Sequence, residues 1–259
     1  MSLGDSNSLS LDMTLRTTIG AWVDLFNSYM AWGKALRDIV AQWVQQIPLG
    51  LVVKECDHPL RNKGIASRLV EQYTTTPAPH VVDVVEGKVC LIVTRLHGQL
   101  LADVWPLMSY AAQNQFDDGL NACIAHLRKI PNNTPYKFRH PIASPYLDHR
   151  IPDGSAGPFN SESEFNAHLT SHLSGILATI FPGRSIRLDH RSYSTYSDMH
   201  PLSLPVYRGR LSGTVDWECA GYMPEYCEFT KAMYGTAEGI HLSMFSTEPL
   251  GVSMKMNSK

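Results

Sequence analysis

Apolar positions between residues 13 and 46 recur at helical spacing, with Trp22, Leu25, Phe26 and Met30 followed by Leu36, Ile39, Val40 and Trp43. That spacing predicts one broken helix or two, split near Gly33, whose stripe packs onto a core. Pro48 and Gly50 then punctuate the chain, and Leu51-Val52-Val53-Lys54 reads as a strand. Residues 61–73 fit a helix that stops before Thr76-Pro77-Ala78-Pro79. Residues 80–85 and 89–95 read as two strands joined by the tight turn Glu86-Gly87-Lys88. A strand–helix–strand–strand order suits a small lobe built on an antiparallel sheet.

After His97-Gly98 the pattern becomes mainly helical. Residues 101–129 read as helix, with Leu120, Ile124 and Leu127 on one face. The Pro- and Gly-rich stretch 131–158 is too long for a simple linker and predicts an ordered insertion. Residues 161–180 predict a helix with Ser161 as N-cap and Glu164 completing a capping box. A polar segment leads through residues 196–206 to a short strand over 210–215, which ends at Asp216-Trp217-Glu218. Residues 224–234 predict a final helix. The division expected is a disordered N-terminus over 1–12, N-terminal helices and a small lobe over 13–98, a helical large lobe over 99–245, and a loose tail over 246–259.

Composition narrows the function classes. The 259 residues are 44 % hydrophobic and 18 % charged, with a net charge of −2. A nucleic-acid surface would show a basic excess, which is missing here. Cys56, Cys90, Cys123, Cys219 and Cys227 are scattered, with no CxxC pair and no disulfide framework, so buried reduced thiols are expected. The polar start MSLGDSNSLSLD has no signal-peptide order, and no apolar run is long enough for a membrane helix. A cytoplasmic protein with a small-molecule substrate, and with neither nucleic acid nor membrane as partner, is the expectation.

The candidate chemistry lies in Thr195-Tyr196-Ser197-Asp198-Met199-His200-Pro201-Leu202-Ser203 and, further on, Asp216. Phosphoryl transfer needs one carboxylate beside the acceptor hydroxyl and a second, on a strand end, holding the metal that bridges the phosphates. Asp198 and Asp216 have the order for these tasks, and Lys54 stands on a preceding strand where a lysine pairs with phosphates. His190, His200 and His241 have no zinc-type spacing. His200 reads as a loop-holding residue.

Several stretches resemble the fungal aminoglycoside phosphotransferase-like family, related in fold to choline kinases and protein kinases. They include Leu60-Arg61-Asn62, Thr94-Arg95-Leu96-His97-Gly98, Asn132-Asn133-Thr134-Pro135-Tyr136, Asp148-His149-Arg150-Ile151-Pro152 and Gly157-Pro158-Phe159-Asn160-Ser161. The longest is Arg208-Gly209-Arg210-Leu211-Ser212-Gly213-Thr214-Val215-Asp216-Trp217-Glu218, continuing through Pro224-Glu225-Tyr226 to Phe229-Thr230-Lys231. The likeness covers roughly residues 48–235 in one colinear order. It implies an α+β, two-lobed protein-kinase-like fold. It also implies fungal secondary metabolism and ATP- and Mg²⁺-dependent transfer of phosphate to a metabolite hydroxyl. Asp198 would be catalytic, Lys54 would bind the nucleotide, and Asp216 with Ser203 would hold the metal.

The loop departs from the family pattern His-x-Asp-x-His-Pro-x-Asn. Tyr196 replaces the first histidine and Ser203 the asparagine, a weaker metal ligand. Lys63 stands where the family places the glutamate that pairs with the strand lysine. No glycine-rich loop is visible, and the chain ends soon after the last matching segment. These departures keep two alternatives open. One is a catalytically impaired pseudokinase that binds a ligand or a protein partner. The other is the same cleft reused for non-phosphoryl natural-product chemistry.

Overall fold

The structure is a computed structural model, and it describes residues 28, 31, 39–41, 44–55, 60–85, 90–141, 144–151, 154–173, 175–176, 179 and 187–236. Five strands form an antiparallel sheet: β1 (Ile39–Ala41), β2 (Val44–Ile47), β3 (Leu51–Glu55), β4 (Val81–Val85) and β5 (Cys90–Thr94), in the order β1-β2-β3-β5-β4. The small antiparallel sheet expected from the sequence is therefore present, and it is larger than expected. The stretch up to residue 46 was expected to close the N-terminal helical segment, and its described residues 39–41 and 44–46 are strand instead. Ile39, Val40, Val44 and Ile47 are β-branched, and their run is too short for periodicity to separate helix from strand. Pairing with β3 decides the outcome, with Val44 opposite Lys54 and Ile47 opposite Leu51. Ser28 and Ala31 are helical. The rest of the expected helical stripe, the Glu86-Gly87-Lys88 turn, the 1–12 segment and the 246–259 tail lie outside the described residues.

Alternation along β3 sends neighbouring side chains to opposite faces. Val53 joins Ile47 and Cys90 in a small buried cluster with Leu51 and Ile92 packed against it. Lys54 lies on the other face beside its register partner Leu91. Helix α1 (Leu60–Tyr73) covers that face, close enough that a Cβ on Gly64 would sit 3.4 Å from Val84 and 3.7 Å from Leu91.

Beyond the sheet come β6 (Gln99–Leu100), α2 (Leu101–Val104), a 3₁₀ turn at Trp105–Leu107 and α3 (Tyr110–Leu127). The single helix expected over 101–129 is split by Pro106, which cannot supply an interior helical N–H. Ser109 then restarts it as an N-cap, accepting from the Ala112 backbone N–H at 3.3 Å. Within the insertion the described residues pair β7 (Tyr146–Leu147) antiparallel with β8 (Ser155–Ala156). Its core of Phe138, Tyr146, Ile151 and Ala156 packs around Phe165 of α4 (Glu162–Leu169). Ser161 caps α4 as expected, while the Glu164 carboxylate accepts from the Asn160 N–H rather than from that of Ser161. Helix α4 ends at Leu169, short of the expected residue 180.

The last part contains β9 (Ser192–Thr195), β10 (Pro205–Tyr207), β11 (Arg210–Leu211), a 3₁₀ turn at Trp217–Cys219, β12 (Gly221–Pro224) and α5 (Cys227–Thr236). The strand expected over 210–215 pairs only at Arg210 and Leu211. The final helix starts at Cys227, because residues 221–224 pair with β9 instead. The main core joins Ala66 and Val70 of α1 to Phe116, Leu120, Ile124 and Leu127 of α3 and to Phe229 and Ala232 of α5.

Candidate functional site

Strands β9 and β12 pair antiparallel with Thr195 opposite Gly221. The loop that leaves β9 and the turn that enters β12 therefore share one end of this ribbon. The first contains Asp198; the second contains Asp216. Two hydrogen bonds lock them together. The Val215 N–H donates to the Ser203 carbonyl at 3.2 Å, and the Tyr196 hydroxyl donates to the Val215 carbonyl. Tyr196 is fully buried, and its ring meets Trp217 edge to face at 4.8 Å between centroids. Tyr196 thus forms a structural brace between the two segments.

The loop after β9 is held by Glu228 of α5. Its buried carboxylate accepts from the backbone N–H groups of Tyr196 and Ser197, both at 2.8 Å. These donors hold the acid's pKa down against burial, and burial still wins. Glu228 escaped the sequence reading. An acid between the apolar Cys227 and Phe229, with Lys231 three residues on, was the available signal.

Within this frame Ser203 donates its hydroxyl to Asp198 Oδ2 at 2.7 Å. Burial lifts the Asp198 pKa to about 7; the Ser203 hydrogen bond and Lys231 oppose the rise, while the charges of Asp216 and Glu218 add to it. The two aspartates are therefore close enough to feel each other. His200 accepts the Leu202 N–H on Nδ1 at 3.2 Å, matching the loop-holding role expected of it. Asp216 has a left-handed backbone, φ 65° and ψ 68°, which aspartate tolerates better than most residues. Lys54 of β3 forms an ion pair with Asp216 Oδ2. The structure thus brings Lys54, Asp198, Ser203 and Asp216 into one neighbourhood.

Of the insertion residues, Asp148 is buried and accepts from Arg150 Nε at 2.9 Å and Nη2 at 2.7 Å, with Lys231 Nζ at 3.7 Å. Arg150 also donates to Thr230 Oγ1 at 2.7 Å, which ties the insertion to α5. His149 is exposed, and its Nε2 lies 3.3 Å from the buried Cys219 Sγ.

No family model and no curated protein matches this sequence. Solved structures do match its fold. The GDP and kanamycin complex of APH(2")-IIia aligns with a TM-score of 0.52 at 11 % identity, covering 81 % of this chain and 77 % of that one. ADP-bound aminoglycoside phosphotransferase APH(2'')-Ib aligns at 0.49 and 12 %, over 72 % of this chain and 65 % of that one. Macrolide 2'-phosphotransferase MphH from Brachybacterium faecium aligns at 0.48 and 13 %, over 78 % and 76 %. The chain spans a little under two thirds of the length of APH(2'')-Ib. No helix among the described residues is long and apolar enough to cross a membrane. At these identities the likeness speaks to architecture alone, and the architecture is the kinase-like α+β fold of the phosphotransferases.

Proposed function

We propose that this protein transfers the γ-phosphoryl group of a purine nucleoside triphosphate to a hydroxyl of a small metabolite, in a groove between the five-stranded sheet and the helical part. The observation that carries the reading is the convergence of Lys54, Asp198 and Asp216. Lys54 comes from 162 residues before Asp216, and the ion pair, the Ser203 hydroxyl on Asp198 and the Val215 N–H on the Ser203 carbonyl tie the three together. The GDP and kanamycin complex of APH(2")-IIia, which shares the fold, supports a purine nucleotide as the donor.

In this reading Asp198 accepts the proton of the acceptor hydroxyl as that oxygen bonds to the γ-phosphorus and the bond to the β–γ bridging oxygen breaks. Lys54 exchanges its ion pair with Asp216 for the phosphates. Asp216 and Ser203 offer hard oxygen donors of the kind Mg²⁺ takes, so the residues present fit that ion. When bound, Mg²⁺ supplies charge neutralisation between the phosphates. Ser203 also holds the Asp198 carboxyl in position. Little covalent work falls to the protein in such a transfer, and positioned charge supplies most of the rate.

Thermal unfolding with millimolar ATP or GTP, with and without Mg²⁺, tests the proposal. A magnesium-dependent rise in Tm with at least one nucleotide, lost in Asp216→Ala, is expected. No shift with either nucleotide, or turnover unchanged in Asp216→Ala, would remove it. Ser203→Asn, which restores an amide oxygen to the metal side, is expected to raise turnover.

A further inference from the structure

We infer a second metal site, suited to Zn²⁺, formed by His149, Glu218 and Cys219. The imidazole and carboxylate ligand atoms and the thiol sulfur all lie within 4.8 Å of one another. The His149 Nε2 to Cys219 Sγ separation is 3.3 Å. In a tetrahedral zinc site, bond lengths of about 2.3 Å to sulfur and 2.0–2.1 Å to nitrogen place those atoms about 3.6 Å apart. The pair is thus near ligating distance before any ion arrives.

Both halves of the site are preorganised. His149 sits between Asp148 and Arg150, whose paired and largely buried side chains pin the turn. Glu218 and Cys219 lie in the 3₁₀ turn closed by the Ala220 N–H on the Trp217 carbonyl, and Trp217 is itself buried and bonded to the Thr214 carbonyl. Cys219 is completely buried while His149 is exposed, so an ion enters from the histidine side and keeps a fourth position for water. Binding releases the thiol proton to solvent, and one thiolate plus one carboxylate then cancel the charge of the dication. A sulfur–nitrogen–oxygen set selects zinc, whereas the all-oxygen set around Asp216 suits magnesium. This second site does not rest on the nucleotide chemistry proposed above, although its turn directly follows Asp216. It would staple the insertion to the turn that begins at Asp216.

The test uses the full chain, stripped of metal under reducing conditions and titrated with Zn²⁺ against a chromophoric chelator at neutral pH. One ion per chain is expected. His149→Ala and Cys219→Ser should each weaken binding by more than the roughly 100-fold that loss of a supporting group costs. Cobalt in place of zinc should give a thiolate-to-metal charge-transfer absorption that Cys123→Ser keeps and Cys219→Ser loses. Because His149 is exposed, its alanine variant should keep the native melting profile, and the wild-type cobalt spectrum needs no variant at all. Failure to retain an ion, a cobalt spectrum without thiolate character, or uptake untouched by either ligand substitution would overturn the site. The 3.3 Å contact would then be a plain S–H to imidazole hydrogen bond.

Discussion

Asp198 titrates near neutrality in this fold chiefly because it is partly withdrawn from water. Its folded pKa of about 7 lies above the ordinary aspartate value of about 3.9, so the native state holds the proton more tightly than the unfolded chain. Stability linked to this group therefore falls as pH rises from about 4 to about 7, and the penalty is complete above that range. Asp198→Asn, which cannot ionise and still offers an oxygen to Ser203, should raise Tm at pH 8 relative to wild type and have less effect at pH 4. The same substitution should lower kcat by at least about 100-fold if Asp198 is the proton acceptor. For the wild-type protein, kcat/KM should climb with pH through a midpoint near 7, since the free enzyme needs the carboxylate. A flat profile across pH 6–8 would separate Asp198 from the proton transfer.

At the level of elements, the site depends on how the β9–β12 ribbon, α5 and the stretch before Asp216 fit together. Glu228→Gln keeps the size of the side chain but offers an amide N–H₂ to one of two backbone donors. The buried donor left unmatched should cost about 1–3 kcal/mol in denaturant unfolding. Gly213 shows a different constraint. Its φ of 149° and a Cβ position only 2.5 Å from the Pro77 carbonyl leave no room for a side chain, and the next residue's N–H donates to that carbonyl at 3.1 Å. Gly213→Ala should push the Asp216 segment away from Pro77, lowering both Tm and nucleotide response. An unaltered melt would show that the contact is not needed. The Gly-Thr-Val-Asp run looked like a plain strand in the sequence. What kept it from pairing as one was a close approach to the 77–79 segment, which lies more than a hundred residues earlier.

Across the whole molecule, the sheet and the helical part meet through α1 in the main core and through the Lys54–Asp216 pair at the site. Lys54 and Asp216 are each roughly a quarter exposed, which limits the strength of their attraction. Lys54→Met should therefore change the stability of the ligand-free protein by only about 1 kcal/mol. It should nonetheless erase most of the nucleotide-induced rise in Tm, because the ammonium meets the phosphates in the proposed mechanism. Equal losses in both measurements would mark Lys54 as a structural residue.

Local chemistry settled much of this molecule in advance. Short valine-rich apolar runs specified β3, β4 and β5, a helical run specified α1, and Ser109 and Ser161 have the residue type that caps a helix. The order of Asp198 and Asp216 was also visible, because the two carboxylates stand in a recognisable loop and at the end of a short strand. Three things needed the folded chain. Residues 44–47 became a strand because β3 offered them a hydrogen-bonding edge, and residues 39–41 paired on in turn to 44–45, which no count of helical spacing contains. Helix α5 starts later than expected because Pro224 ends a strand that found a partner in β9. Cys219 met His149 because an insertion folded back over a turn seventy residues away. Backbone preference acts over a few residues and is written in the local sequence, whereas pairing and burial depend on which distant segments end up adjacent, and only the packed structure decides that.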